Sequence, residues 1–349
     1  MTEFTRTIVS TPRLDMNVWT SGPEDGLPLL LLHGNLSSGG FWKYVAEELP
    51  GDIRVIAPDL RGFGRTEPKP VDATRGLGDM ADDVHGLLDV LGLAGQPVNA
   101  AGWSMGAGVL QQMLIDYPGD LAGCTFIAPL SPYGFGGTKD AKGTLAYADC
   151  AGSGAGGANP EFVRRLAVKD DTELIPMTSP RVTMRTFFGG GSNHAAIDED
   201  FLVEELLRVR ISDELYPGNA RPSMNWPMVA PGDKGINNAM SPKYFNTAAF
   251  VDVNPKPPIT WLYGTKDQIS SDTSMFDFGT LGMMGAVPGW PGPEIFPPQP
   301  MEGQMRAVLA KYAANGGLVR EVKLDGISHG IPLEVPGRTA EEIVQSLVR

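Results

Sequence analysis

Gly102-Trp103-Ser104-Met105-Gly106 is the densest chemical signal in the chain. A short apolar run, residues 97–102, leads into it, and a helical pattern over 105–117 leads out. In that setting G-x-S-x-G marks a sharp strand-to-helix turn that holds a serine exposed at the end of a strand. The glycines remove side chains that would block the turn. A serine hydroxyl is a weak nucleophile until a base takes its proton, so a base must stand elsewhere in the chain. Four histidines are available. His33 ends an apolar run and His85 falls within a helical pattern, which gives both structural roles. His194 lies in an irregular stretch, Gly-Ser-Asn-His. His329 follows the last predicted strand, in Asp325-Gly326-Ile327-Ser328-His329-Gly330, and is the expected general base.

A carboxylate must orient that imidazole and stabilise its charged form. Asp267, in Gly264-Thr265-Lys266-Asp267 just after a predicted strand at 258–263, is the expected acid. Asp272, Asp277 and Asp325 are rivals, although Asp325 stands close enough to His329 to read as a turn cap. Attack on a carbonyl also needs two preorganised N–H donors for the developing oxyanion. The backbone of Met105, at a helix N-terminus, is one. The backbone of Asn35, in His33-Gly34-Asn35-Leu36, is the other, with Leu36 as second choice.

These residues need a scaffold that gathers strand ends. Residues 28–33, 53–58, 97–102 and 122–128 read as strands buried on both faces. Helical patterns at 79–92, with Asp79 as its cap, and at 105–117 fall between them. Alternating strands and helices predict a mostly parallel, doubly wound α/β sheet. The alternation breaks after residue 131, where ten of residues 131–160 are Gly or Pro. Helices are predicted at 161–169 and 197–211, irregular chain at 212–255 and a strand at 258–263. A helix at 303–314, a strand at 318–324 and a last helix at 338–348 follow. The expected division is a core of 1–131 and 256–349, a cap insertion at 132–255 and a Gly/Pro/Met-rich loop insertion at 270–301.

Composition narrows the function. The 349 residues carry a net charge of −13, which argues against nucleic acid, and no basic cluster breaks that trend. Four His and two Cys, Cys124 and Cys150, build neither a multi-histidine zinc centre nor a disulfide framework. No signal peptide is read at the N-terminus, and the longest apolar run, Leu29 to Leu32, is far too short to span a membrane. The expectation is a soluble cytoplasmic protein acting on a small molecule, with no nucleic acid, membrane, metal or organic cofactor; a homodimer is left open. Gly 44 and Pro 30 together make up about a fifth of the chain, so it is globular but rich in turns.

His33-Gly34, Asp59-Leu60-Arg61-Gly62-Phe63-Gly64, Gly102 to Gly106, Gly264 to Asp267 and Ser328-His329-Gly330 together resemble the α/β-hydrolase fold superfamily. The style is similar to its esterases, cofactor-free haloperoxidases and C–C bond hydrolases. The order Ser104, Asp267, His329 is the order of that superfamily's triad. The resemblance covers roughly 15–130 and 257–349, and it implies an eight-stranded sheet with a cap between the sixth and seventh strands. It implies a structural turn at Asp59 and Arg61. His33-Gly34-Asn35 is similar to haloalkane dehalogenases, but Ser104 stands where they carry Asp, so an alkyl-enzyme route is not expected.

The expected activity is a serine hydrolase of carboxylic esters or lactones of a small apolar molecule. Amide or C–C bond hydrolysis with the same triad is the alternative, followed by a cofactor-free perhydrolase or lyase, or a triad-retaining sensor. Leu36, Trp103 and Leu130 are the expected substrate-binding residues, and Met184, Phe187, Phe188, Trp226 and Met228 are further candidate pocket liners. The 279–300 stretch reads either as an ordered wall near the site or as a plain surface loop.

Overall fold

Leu29, Leu30, Leu31 and Leu32 cannot share one buried face of a strand, because alternate side chains point to opposite sides. All four are buried, so the sheet they join is covered on both faces. In the computed structural model, which describes residues 3–93, 95–189 and 197–349, they form the end of β3. Eight strands make the sheet: β1 (Thr5–Ser10), β2 (Asp15–Ser21), β3 (Leu27–Leu32), β4 (Ile53–Pro58), β5 (Val98–Trp103), β6 (Leu121–Ile127), β7 (Ile259–Gly264) and β8 (Val319–Leu324). Their spatial order is β1-β2-β4-β3-β5-β6-β7-β8. The strands from β4 across to β8 pair in parallel, whereas β1 and β2 are antiparallel. The chain reverses its direction of travel at β3, between β4 and β5. Open parallel sheets bind ligands at such a switch point, beyond the carboxyl ends of the strands.

The helices around the sheet are α1 (Lys43–Glu48), α2 (Gly78–Val90), α3 (Met105–Asp116), α9 (Met301–Ala314), α10 (Ile331–Glu334) and α11 (Pro336–Ser346). Between β6 and β7 lie α4 (Pro160–Ala167), α5 (Pro180–Phe187), α6 (Glu199–Leu206) and α7 (Ile236–Ala239), and α8 (Phe278–Met283) follows β7. Among the described residues no helix is long and apolar enough to cross a membrane.

Several sequence expectations are corrected. Asp79 does not cap α2: its carboxylate accepts from the Asp72 amide at 2.9 Å and pairs with Arg75 at 2.6 Å. The apolar period over 197–211 continues past the real end of α6 at Leu206. There Arg210 turns away to donate its amide to Gly62 at 2.9 Å, so a tertiary bond stops the helix. Helix α5 escapes the periodicity, although Ser179 caps it and Pro180 sits at its first position. The β1 strand is almost wholly exposed and carries no apolar alternation to find.

The segment after β7 is ordered, and it packs on the insertion between β6 and β7. Trp226 meets Phe296 edge-on at 5.0 Å between centroids and donates from Nε1 to the Pro288 carbonyl at 2.9 Å. Trp226 therefore belongs to this outer cluster, and Met228 is 57 % exposed, so neither lines a pocket over Ser104.

One buried carboxylate joins the same insertion to the sheet. Glu205 on α6 is almost fully enclosed; it accepts from Ser38 Oγ at 2.7 Å and pairs with Arg65 at 2.5 Å. Removing one partner strands a buried charge, which costs far more than a surface ion pair is worth. Glu205→Ala is expected to lower the unfolding free energy by about 3 kcal/mol in urea titration. A loss below about 1 kcal/mol, the range of surface pairs, would show that this pair holds nothing together.

Candidate active site

The site is built on the way α3 leaves β5. A Cβ on Gly106 would lie 2.2 Å from the Leu32 carbonyl oxygen, and one on Gly102 would lie 2.6 Å from the Ala107 nitrogen. Only glycine lets the helix start that close to β3 and β5. The turn between them forces Ser104 to φ 55°, ψ −116°, which L-residues rarely adopt. Hydrogen bonds hold it there: Ser104 N–H donates to Ile127 at 2.9 Å, and its carbonyl accepts from Leu130 at 3.1 Å. Ser104 is half-buried at the carboxyl end of the sheet.

His329 and Asp267 meet across the ends of β7 and β8. His329 Nδ1 is 2.8 Å from Asp267 Oδ2, with both side chains only 2 % exposed. The other carboxylate oxygen accepts from the amides of Ile269 at 2.7 Å and Ser270 at 2.9 Å. Asp267 thus has its acceptor positions filled on one side and directs the other at the imidazole. Facing a carboxylate, Nδ1 carries the ring proton, which leaves Nε2 as the free acceptor.

The three rival carboxylates are engaged elsewhere. Asp272 caps α9 through the Glu302 amide at 2.8 Å. Asp277 caps α8, and burial pushes its carboxyl up to about 6. Asp325 is exposed beside Lys323. His194 lies outside the described residues. His85 stacks on Tyr117 and bonds Asp120 at 2.7 Å, far from this set in its contacts.

Trp103, expected to touch substrate, instead ties the two halves of the site together. Its Nε1 donates to the His329 carbonyl at 2.8 Å, and its ring packs on Phe41, Phe188 and the imidazole. Leu130 is buried, with its carbonyl held by Gln111 at 2.8 Å, so it supports the Ser104 turn. Phe188 reaches the site from the insertion: a Cβ on Gly330 would fall 1.9 Å from the Phe188 carbonyl oxygen. Phe187 pairs with Phe276, and Met184 is fully buried. Ser104 makes no hydrogen bond to His329 in this conformation, a contact that in resting sites often closes only around substrate.

Opposite Ser104 runs the segment His33 to Ser37. A Cβ on Gly34 would sit 3.2 Å from that of Ser104. Among the described residues, the N–H groups of Asn35 and Met105 have no protein acceptor. The Gly34 carbonyl, which shares a peptide with the Asn35 N–H, accepts from His33 Nδ1 at 2.8 Å and Ser37 Oγ at 2.8 Å. Two donors on the oxygen fix the plane of that peptide and so the direction of its N–H. Next to it Leu36 is buried at φ 56°. His33 Nε2 accepts from the Leu60 amide at 2.9 Å, so the ring is neutral with its proton on Nδ1.

The turn after β4 braces this segment from behind. Asp59 accepts from Asn17, Trp19, Gly39 and Arg65 at 2.8 to 3.1 Å, and burial pushes its carboxyl up to about 6. Arg61 forks onto Asp83 with two bonds of 2.7 Å. Sequence reasoning missed the roles of Arg65 and Glu205, because their partners lie across the insertion and no local motif marks them; Phe188, a candidate liner, packs on Trp103 and the imidazole.

Residues 28–147 match the alpha/beta hydrolase fold family. The fold of the chain is the α/β-hydrolase fold. It is 34 % identical over 96 residues to a 2-hydroxymuconate semialdehyde hydrolase of a Pseudomonas species, which is 27 % of this chain and 33 % of that protein. The match thus spans about a third of that curated relative's length. Two solved structures share the whole architecture. The 2-hydroxy-6-oxo-6-phenylhexa-2,4-dienoate hydrolase of a Rhodococcus species superposes with a TM-score of 0.58, at 16 % identity and 99 % coverage of both chains. A carboxylesterase of Bacillus subtilis gives 0.59 at 15 % identity, over 99 % of this chain and 91 % of its own. At such identities the likeness is one of fold.

Burial pushes the His33 imidazole down to about 4, against a gain from the Gly34 carbonyl. Its folded value lies below the unfolded one near 6.5, so the unfolded chain takes up the proton first as pH falls. The stability this neutral histidine supplies is full above pH 6.5 and is lost on the way down to about 4. Relative to His33→Gln, wild type is expected to lose about 3 kcal/mol between pH 7 and pH 4 in denaturant titrations. Because Asp59 and Asp277 titrate in both proteins, the difference isolates His33. A flat difference would refute the buried neutral ring.

Proposed function

We propose that the protein is a serine hydrolase of carboxylic esters or lactones, acting through an acyl-enzyme. The observation that carries this reading is the buried Asp267–His329 pair, 2.8 Å long, joined through Trp103 to the strained turn at Ser104. Ser104 Oγ attacks the carbonyl carbon while His329 Nε2 takes its proton. Asp267 holds the ring in the tautomer that can accept and stabilises the imidazolium that forms. The carbonyl oxygen, now negative, rests on the Asn35 and Met105 amides. Neither donor has another acceptor to leave, and the Asn35 peptide is already oriented, so little reorganisation is needed at the moment of reaction. His329 then returns its proton to the departing alkoxide, and the acyl-enzyme is cleared by a water that the same nitrogen activates.

The nucleophile separates this reading from the dehalogenase-like one. A 62-residue match, 42 % identical, joins this chain to a haloalkane dehalogenase of Mycobacterium marinum and covers 16 % of the chain. A serine leads to an acyl-enzyme from esters and has no use for a halide leaving from carbon.

A fluorophosphonate should label wild type, and Ser104→Ala should lose both the label and turnover of p-nitrophenyl esters. Asp267→Asn should keep the fold and lower kcat by roughly 10⁴. Undiminished ester turnover by Ser104→Ala would overturn the proposal.

A further inference from the structure

Asn35 offers more than its backbone. Its side chain crosses to the insertion, where Nδ2 donates to Oδ1 of Asn237 on α7 at 3.2 Å. That bond turns the Asn35 carboxamide nitrogen toward α7. The remaining atom, Asn35 Oδ1, is buried and has no hydrogen-bond partner. An unmade buried acceptor is costly, and such groups are few in native folds. This one belongs to the residue whose backbone meets the substrate carbonyl in the reading above.

We propose that Asn35 and Asn237 form a polar subsite whose free acceptor, Asn35 Oδ1, takes a hydroxyl on the carbon next to the scissile carbonyl. The preferred substrates are then 2-hydroxyacyl esters or lactones. Oδ1 can only accept, so the matching group is a donor; a bare acyl chain would leave the oxygen unpaired on closing the site. Sites built to bond a hydroxyl discriminate strongly against the analogue that lacks it. The inference rests on the serine-hydrolase reading and deepens it.

The test compares methyl 2-hydroxyhexanoate with methyl hexanoate. Turnover of methyl hexanoate and its loss in Ser104→Ala probe the hydrolase reading alone. The subsite is read from the ratio of kcat/KM for the two esters, expected to favour the hydroxy ester by about tenfold to a hundredfold in wild type. Asn35→Leu should bring the ratio close to one. Asn35→Asp, which keeps an acceptor, should retain the preference; a purely structural Asn35 would not separate these two variants. Fluorophosphonate labelling confirms that each variant is folded at the site. A wild-type ratio near one, or a ratio unchanged in Asn35→Leu, overturns the subsite and leaves Oδ1 with a resident water. If neither ester is hydrolysed, calorimetric titration of both esters decides: equal affinities overturn the subsite, and a selective loss in Asn35→Leu supports it.

Discussion

Everything at the site depends on how closely α3 approaches the sheet. The contact at Gly106 brings the first turn of the helix against the end of β3, and Gly102 lets β5 bend into it. The backbone at Ser104 is the geometric remainder of that packing. Its unfavourable φ, ψ pair persists because Ile127 and Leu130 hold both sides of the residue. Burial of the surrounding apolar core outweighs the local strain, as strained residues in folded proteins require. The same approach aims the helix N-terminus, with its unpaired amides, at the place where a substrate carbonyl would sit.

Around that point the chain is braced by polar groups that are buried and satisfied. His33 and Ser37 set one peptide; the Ile269 and Ser270 amides set one carboxylate. Asp59 gathers four donors from three separate stretches of chain and holds the turn behind the site. Such networks rigidify only when complete, since a half-paired buried group costs more than an apolar one. Asn35 Oδ1, buried beside these groups without a partner, is informative for that reason.

Much of this was legible in the sequence, for physical reasons that can be named. Strands β3 to β7 are short apolar runs bounded by turn residues, and their buried faces leave a pattern. The pairing of His329 with Asp267 was readable because each follows a parallel strand, and parallel strands deliver their ends to one edge. The β1 strand was not, since its exposed residues carry no alternation. The roles of Trp103 and Leu130 also went unread. Both are apolar residues close to Ser104 in the fold, and an apolar residue type alone does not tell whether the side chain faces a ligand or faces inward. Asn237, Glu205 and Phe188 come from the insertion, where neither period nor motif ties a residue to a partner far away in the chain.

Trp103 carries one more consequence. It is peptide-bonded to Ser104, and through Nε1 it is bonded to the carbonyl of His329, 226 residues away. In the proposed mechanism a displacement of Ser104 is thereby passed to His329, and the two shift together. What matters for proton transfer is their separation, and a shared tether filters motion out of that difference while leaving each residue free to move. The indole acts as a common reference point, and any replacement that fills the same space without a donor would leave the packing intact while letting the two errors add.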